Sequence, residues 1–269
     1  MRLPDWARQH LAALRALLIL TAVCGVVYPL LVTAVVQLPG LRSKADGSLI
    51  EAGGRTVGSK IIGQGYLDRD GNPLKQYFQS RPSAAGAGYD PTSTSASNLG
   101  PEDIVDVLPD PASTEDTGRQ SLLTQVCTRS KHIGELDGVD GSRPFCTPSG
   151  VGAVLAVFRP RGADGRVTTP KRVVAVNEAC PAAPFLATYR GVTVQCGRFG
   201  EDYAAGETVP VRGDAPAQPK VPAEAVTASG SGLDPDISPA YARIQAARVA
   251  QARGITVEQV QQLIADRTR

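Results

Sequence analysis

The chain has 269 residues, 42% hydrophobic and 20% charged but only 5% aromatic, with a formal net charge of +2. That charge is too small to argue for nucleic acid, and the sequence holds neither a basic cluster nor an aromatic run of the RNA-binding kind. The scarcity of aromatics beside 28 glycines and 21 prolines predicts a modest, loop-rich core.

The first element is a membrane anchor. From Ala16 to Leu41 about 26 residues pass without a charge, and Leu17 to Val36 is almost wholly apolar. A helix crosses a bilayer with roughly 20 such residues. A buried core helix would carry a polar stripe, and none appears between Ala16 and Val36. The run exceeds the ~7–15 residues of a signal-peptide core and no A-x-A-like site follows, so an uncleaved anchor is expected over residues 16–38. Cys24 is a poor lipoprotein site, because about a dozen apolar residues follow it. Pro29 sits near mid-span, where a membrane helix tolerates a kink. Tyr28 and Pro29 are candidates for packing against another membrane helix. A single span encloses no pore, so transport would need other subunits.

Residues 1–15 form a short tail carrying Arg2, Arg8 and Arg15, against Arg42, Lys44 and Arg55 on the far flank. The positive-inside bias is slight. The cysteines tip it. Cys24 lies in the span, while Cys127, Cys146, Cys180 and Cys196 lie beyond it. Four cysteines in an exported domain read as two disulfides, with three connectivities open. Zinc is the weaker reading, because there is no C-x-x-C pair and His132 is the only histidine nearby. The tail is therefore read as cytoplasmic and the rest as extracytoplasmic.

The first part of that domain is placed at 39–117. Between Asp46 and Gly65, apolar pairs separated by glycines predict two or three short strands joined by tight turns. Within them Gly53–Lys60 imitates a phosphate-binding loop, but its last two residues are Ser59-Lys60, in reversed order, and no βαβ unit follows. Asp68 to Asn72 lacks the spacing of a calcium loop and reads as a turn. Arg81, held extended by Pro82, presents a guanidinium suited either to a partner's carboxylate or to an internal salt bridge. Pro101 to Leu108 is predicted as a short helix, with Glu102 and Asp103 in its first turn.

Residues 118–206 hold all four outer cysteines and read as a disulfide-stapled, β-rich insertion, with strands at Val151–Phe158, Arg172–Val176 and Tyr189–Val194. Residues 207–269 begin with a proline-rich connector, Pro210 to Pro222. Ser238 then caps a helix with Pro239 at its first position and Gly254 at its end. Thr256 and Gln259 form a capping box for a second helix, with Ile255 and Val260 as its hydrophobic staple. Ile244, Val249, Val260 and Ile264 are available to pack this hairpin. The expected fold is α+β: one transmembrane helix, then a mixed α/β domain with the β-rich insertion and the C-terminal helical hairpin.

Five blocks, Gly47–Ile50, Val57–Gln64, Tyr77–Ala84, Ser97–Pro101 and Val226–Gly254, resemble the KdpC family, the C subunits of the Kdp potassium-importing P-type ATPase. They fall in the family's order behind a single N-terminal span and cover roughly half of the chain. The resemblance implies work in a complex with a channel-like A subunit, an ATPase B subunit and a small F peptide. It also implies a catalytic-chaperone role that raises the ATP affinity of the B subunit, with ATP held there and no cofactor expected on this chain. The family's glycine-containing S-G-G-S-N-L element reads Ser95-Ala96-Ser97-Asn98-Leu99 here, with both glycines gone, which weakens the carry-over of direct nucleotide contact to these positions. The insertion is expected to be a lineage feature.

No D-K-T-G phosphorylation site occurs, and Thr56-Val57-Gly58 runs into Ser59-Lys60 rather than a potassium filter. A non-catalytic accessory subunit is therefore the leading expectation. A membrane-anchored hydrolase finds no nucleophile elbow, since Gly230 stands where G-x-S-x-G needs serine. A sensor or solute-binding module would match the anchor and disulfides but not the family blocks. Arg81, Asn98, Asp234 and Asp236, polar residues on loops framed by Gly or Pro, join Tyr28 and Pro29 as candidate partner contacts.

Overall fold

A computed structural model describes residues 4–160 and 168–268. Arg2 of the tail, residues 161–167 of the insertion and Arg269 lie outside the described residues. The chain divides into two compact units, Met1–Ile62 and Gly63–Arg269.

In the first unit one continuous helix runs from Asp5 to Val36, long and apolar enough to cross a membrane. It comprises α1 (Asp5–Ala22), a π turn (Val23–Val27) and α2 (Tyr28–Val36). The helix thus starts well inside the stretch read as a tail. Pro29 has no N–H to give, and the wider π turn before it takes up the mismatch without breaking the helix. None of its described side chains is buried, and Leu17 to Leu20 are each more than half exposed. A short α3 (Arg42–Ala45) leads to the hairpin of β1 (Leu49–Ala52) and β2 (Arg55–Ser59). Gly53 and Gly54 turn it with φ of 58° and 75°, angles at which a side chain is strained. The segment that imitates a phosphate loop is this turn and strand.

The second unit is built on a five-stranded sheet in the order β5-β6-β4-β3-β7. Its strands are β3 (Val154–Phe158), β4 (Arg172–Ala179), β5 (Thr188–Tyr189), β6 (Val192–Gly197) and β7 (Glu207–Pro210). All pairs are antiparallel except β4 with β6. Alternate residues of β3 and β4 bury opposite faces: Leu155, Val157, Val173 and Ala175 on one, Val154, Ala156, Val174 and Val176 on the other. Helix α4 (Leu122–Asp137) precedes the sheet, and α5 (Ala223–Val226), α6 (Pro239–Arg253) and α7 (Val257–Arg267) follow it. The unit is mixed helix and sheet, and it carries two disulfides, Cys127–Cys146 and Cys180–Cys196.

Several local expectations are corrected. Residues 101–108 form no helix. Ile104 and Val105 lie against the sheet instead, while Asn177 accepts from the Asp106 amide (2.8 Å) and donates to the Ile104 carbonyl (2.9 Å). Of the two carboxylates expected in that first turn, Asp103 serves α4 instead, accepting from the Leu122 amide (3.1 Å), and Asp106 joins it by accepting from the Ser121 amide (2.7 Å). Arg119 and the Leu122 amide hold the Asp103 carboxyl below the usual carboxylate range, whereas burial pushes that of Asp106 up. The insertion is not purely β-rich, because α4 opens it. The strand expected at Tyr189–Val194 is split by a tight turn, with Arg190 at φ 48° and Gly191 at 82°. The connector expected from Pro210 begins as the end of edge strand β7, where a missing N–H is tolerated.

The C-terminal hairpin follows its caps. Ser238 accepts from the Tyr241 amide, Gly254 takes φ 65°, and Thr256 with Gln259 closes the capping box. Val249, Val260 and Ile264 pack between α6 and α7, but Ile244 faces the other way, toward Val221 and Val226.

Candidate partner-binding site

The loops that carry the distinctive polar residues meet at the turn formed by Ser231–Asp234. Three separate segments dock on it. The Gly63 amide donates to the Leu233 carbonyl (2.8 Å), Ser83 Oγ to the Gly232 carbonyl (2.6 Å) and the Ser95 amide to the Ser231 carbonyl (3.2 Å). Arg81 Nη1 donates to Asp234 Oδ2 at 2.9 Å and Nη2 to the Thr227 carbonyl at 3.4 Å. Asp234 uses its other oxygen to accept from the Asp236 amide (3.0 Å), an Asx turn that leads into α6. The Tyr89 hydroxyl donates to the Arg81 carbonyl, and burial pushes its pKa up.

Glycine is required at this junction. Gly232 has φ 71°, and a Cβ there would stand 2.7 Å from the Ser95 carbonyl oxygen and 2.9 Å from Ala85. Gly232→Ala is expected to destabilise the domain by about 2 kcal/mol, combining left-handed strain with overpacking, as measured by denaturant unfolding. A cost within error of zero would mean that the three docked segments do not fix the turn.

Of the predicted site residues, Arg81 and Asp234 are brought together as an internal salt bridge with side chains 22% and 32% exposed. Asp236 lies two residues on and is exposed. Asn98 is exposed on its loop at φ 54°, a conformation asparagine tolerates. Tyr28 and Pro29 belong to the other unit, on the outward surface of its helix.

A second polar centre escaped the sequence reading. Arg248 on α6 is buried and donates from Nε to Asp137 of α4 (2.7 Å), and from Nη1 to the carbonyls of Lys75 (2.7 Å) and Tyr77 (2.9 Å). Its Nη2 reaches Gln245, whose amide also exchanges two hydrogen bonds with the backbone of Gln79. The available signal was Tyr241, Gln245 and Arg248 at helical spacing, one face of α6 that is polar yet buried.

The arrangement suits binding and scaffolding: guanidinium groups hold backbone carbonyls and carboxylates, and loops are fixed from several sides. The charged groups at both centres serve the chain's own packing. The family model for KdpC, described as the K+-transporting ATPase c chain, matches residues 10–107 and 202–269. A protein of Kineococcus radiotolerans is 33% identical over 269 residues, covering 100% of this chain and 86% of the relative. One of Mycobacterium tuberculosis is 32% identical over 261 residues (97% and 86%), and one of Streptomyces coelicolor 33% over 279 (99% and 84%). Each is named a potassium-transporting ATPase KdpC subunit. The family model leaves 108–201 unmatched, while these relatives align across nearly the whole chain.

Proposed function

Because this chain belongs to the KdpC family of K+-transporting ATPase c chains, we propose that it is a non-catalytic accessory subunit of a potassium-importing ATPase. Its tail is cytoplasmic and its folded domain extracytoplasmic. It works with the A, B and F subunits, binds no cofactor of its own and raises the ATP affinity of the B subunit from a distance. The observation that carries this reading is the pair of disulfides behind a single apolar helix, since structural disulfides persist in oxidising compartments. A domain outside the cell acts on cytoplasmic ATP only through the subunits between them. The 95–99 segment supports this, because its Ser95 amide is bonded to the Ser231 carbonyl and the family's two glycines are absent.

Thiol labelling of intact cells with a membrane-impermeant reagent tests the placement. Cys127, Cys146, Cys180 and Cys196 are expected to label from outside only after reduction and unfolding. Labelling only after the cells are opened would overturn the orientation and put direct nucleotide contact in play. Deleting the chain should abolish growth at limiting potassium while leaving the A and B subunits expressed. Growth unchanged by deletion would refute the accessory role.

A further inference from the structure

Between the α6–α7 hairpin and residues 66–78 lies an open groove of about 520 Å³. Its floor is buried, with Val249 and Val260 each at most 3% exposed, but its mouth is apolar and uncovered. Tyr66, Tyr77 and Ile255 are 36–37% exposed there and Leu263 is 55% exposed. The two tyrosine rings stack with centroids 4.6 Å apart and planes 17° from parallel. Arg253 stands over Tyr77 at 5.2 Å and is pinned by a 2.6 Å bond from Nε to the Gln76 carbonyl. Among the described residues no carboxylate pairs with this guanidinium, and its terminal amino groups make no hydrogen bond. The site is stiff: rings with few rotamers, a capping box at Thr256 and a left-handed Gly254 frame it.

We propose that this groove is a docking site for an amphipathic helical segment of a partner polypeptide, with apolar side chains one turn apart seated against Tyr66, Tyr77 and Leu263 and a carboxylate on Arg253. Charge complementarity selects the occupant. A fixed, unpaired cation beside an aromatic stack asks for an acidic group on the rim of an apolar face, the pattern that helix-in-groove recognition uses. Concavity argues against a bilayer surface, which would meet a protruding apolar face rather than a cleft. The proposal rests on the reading of the chain as a subunit of a larger complex.

A photo-crosslinking amino acid placed at Ile255 in the full chain, coexpressed with the A, B and F subunits and purified as the assembled complex, tests it. The expected product joins this chain to another subunit. The captured peptide should carry apolar residues three or four apart and an adjacent Asp or Glu. Leu263→Glu, a change at an exposed position, and Arg253→Glu should each lower that product about ten-fold. A product with lipid, with its own chain or with a second copy would overturn the proposal. So would no product from a complex that still co-purifies, which leaves the subunit reading intact. A chain that fails to co-purify at all refutes the subunit reading and the docking site with it.

Discussion

Replacing Arg248 with methionine is expected to cost about 3–5 kcal/mol, the usual penalty for breaking a buried ion pair from one side. Arg248 and Asp137 have side chains 5% and 1% exposed, so water cannot take over when the guanidinium is removed. Asp137 Oδ2 already lacks a partner, and the substitution would orphan Oδ1 as well as the carbonyls of Lys75 and Tyr77. Burial, partly offset by Arg248, already lifts the Asp137 carboxyl above the usual carboxylate range, and losing Arg248 lifts it further. A carboxyl raised in the folded state contributes stability below its unfolded pKa and loses it as pH rises through the folded value. The deficit of the variant should therefore be larger at about pH 8 than near pH 5. Denaturant unfolding at the two pH values reads this directly. Adding Asp137→Leu should recover part of the loss, because no charge is then stranded, while the two carbonyls stay unsatisfied. Equal stability of Arg248→Met and the parent would show that the pair holds nothing together. The pair also joins Asp137, from the stretch the family model leaves unmatched, to α6 within the matched part. That stretch and the hairpin should then lose structure in one transition.

What could be read in advance was what neighbours in the chain decide. Ser238, Pro239, Gly254 and Thr256 cap their helices through bonds spanning a few residues, and Gly53-Gly54 turns its hairpin alone. Helix α4 obeyed the helical period but wrote it in small residues. Its buried positions are Thr124, Cys127, Ser130, Gly134 and Asp137, so a search for apolar stripes passes over it. The reason is close approach: Ser130 Oγ donates to the Gly141 carbonyl, and a Cβ on Gly134 would stand 2.7 Å from Gly141. Only small side chains let the returning backbone so near. The error at 101–108 has the opposite cause. Good first-turn residues were present, but Asn177 and the N-terminus of α4 claimed polar groups of Asp103, Ile104 and Asp106 from far along the chain. Arg81 was legible as a residue seeking a carboxylate, yet Asp234, 153 positions away, is not visible as its partner from local spacing.

Removing the Cys127–Cys146 disulfide by paired Cys→Ala substitution is expected to destabilise the domain by about 3 kcal/mol. For a domain of this size that lowers the melting temperature by roughly 6–12 °C. The two disulfides close loops of similar length, with sequence separations of 19 and 16. Loop entropy alone therefore makes their contributions differ by only about 0.2 kcal/mol. Any larger difference must come from the folded state, and the structure assigns it a direction. Cys127 is 2% exposed on the inner face of α4, tied to Cys146 just ahead of β3, so alanine there leaves unfilled space at a helix–sheet junction. Cys180 and Cys196 are only half-buried, and the strands they join stay held by the bond from the Cys180 amide to the Gly197 carbonyl and by the β4–β6 pairing. Loss of Cys127–Cys146 should therefore exceed loss of Cys180–Cys196 by more than the loop difference. Calorimetry of the two paired variants decides it. Equal melting temperatures would mean that both disulfides act on the unfolded chain alone, and that packing around Cys127 adds nothing.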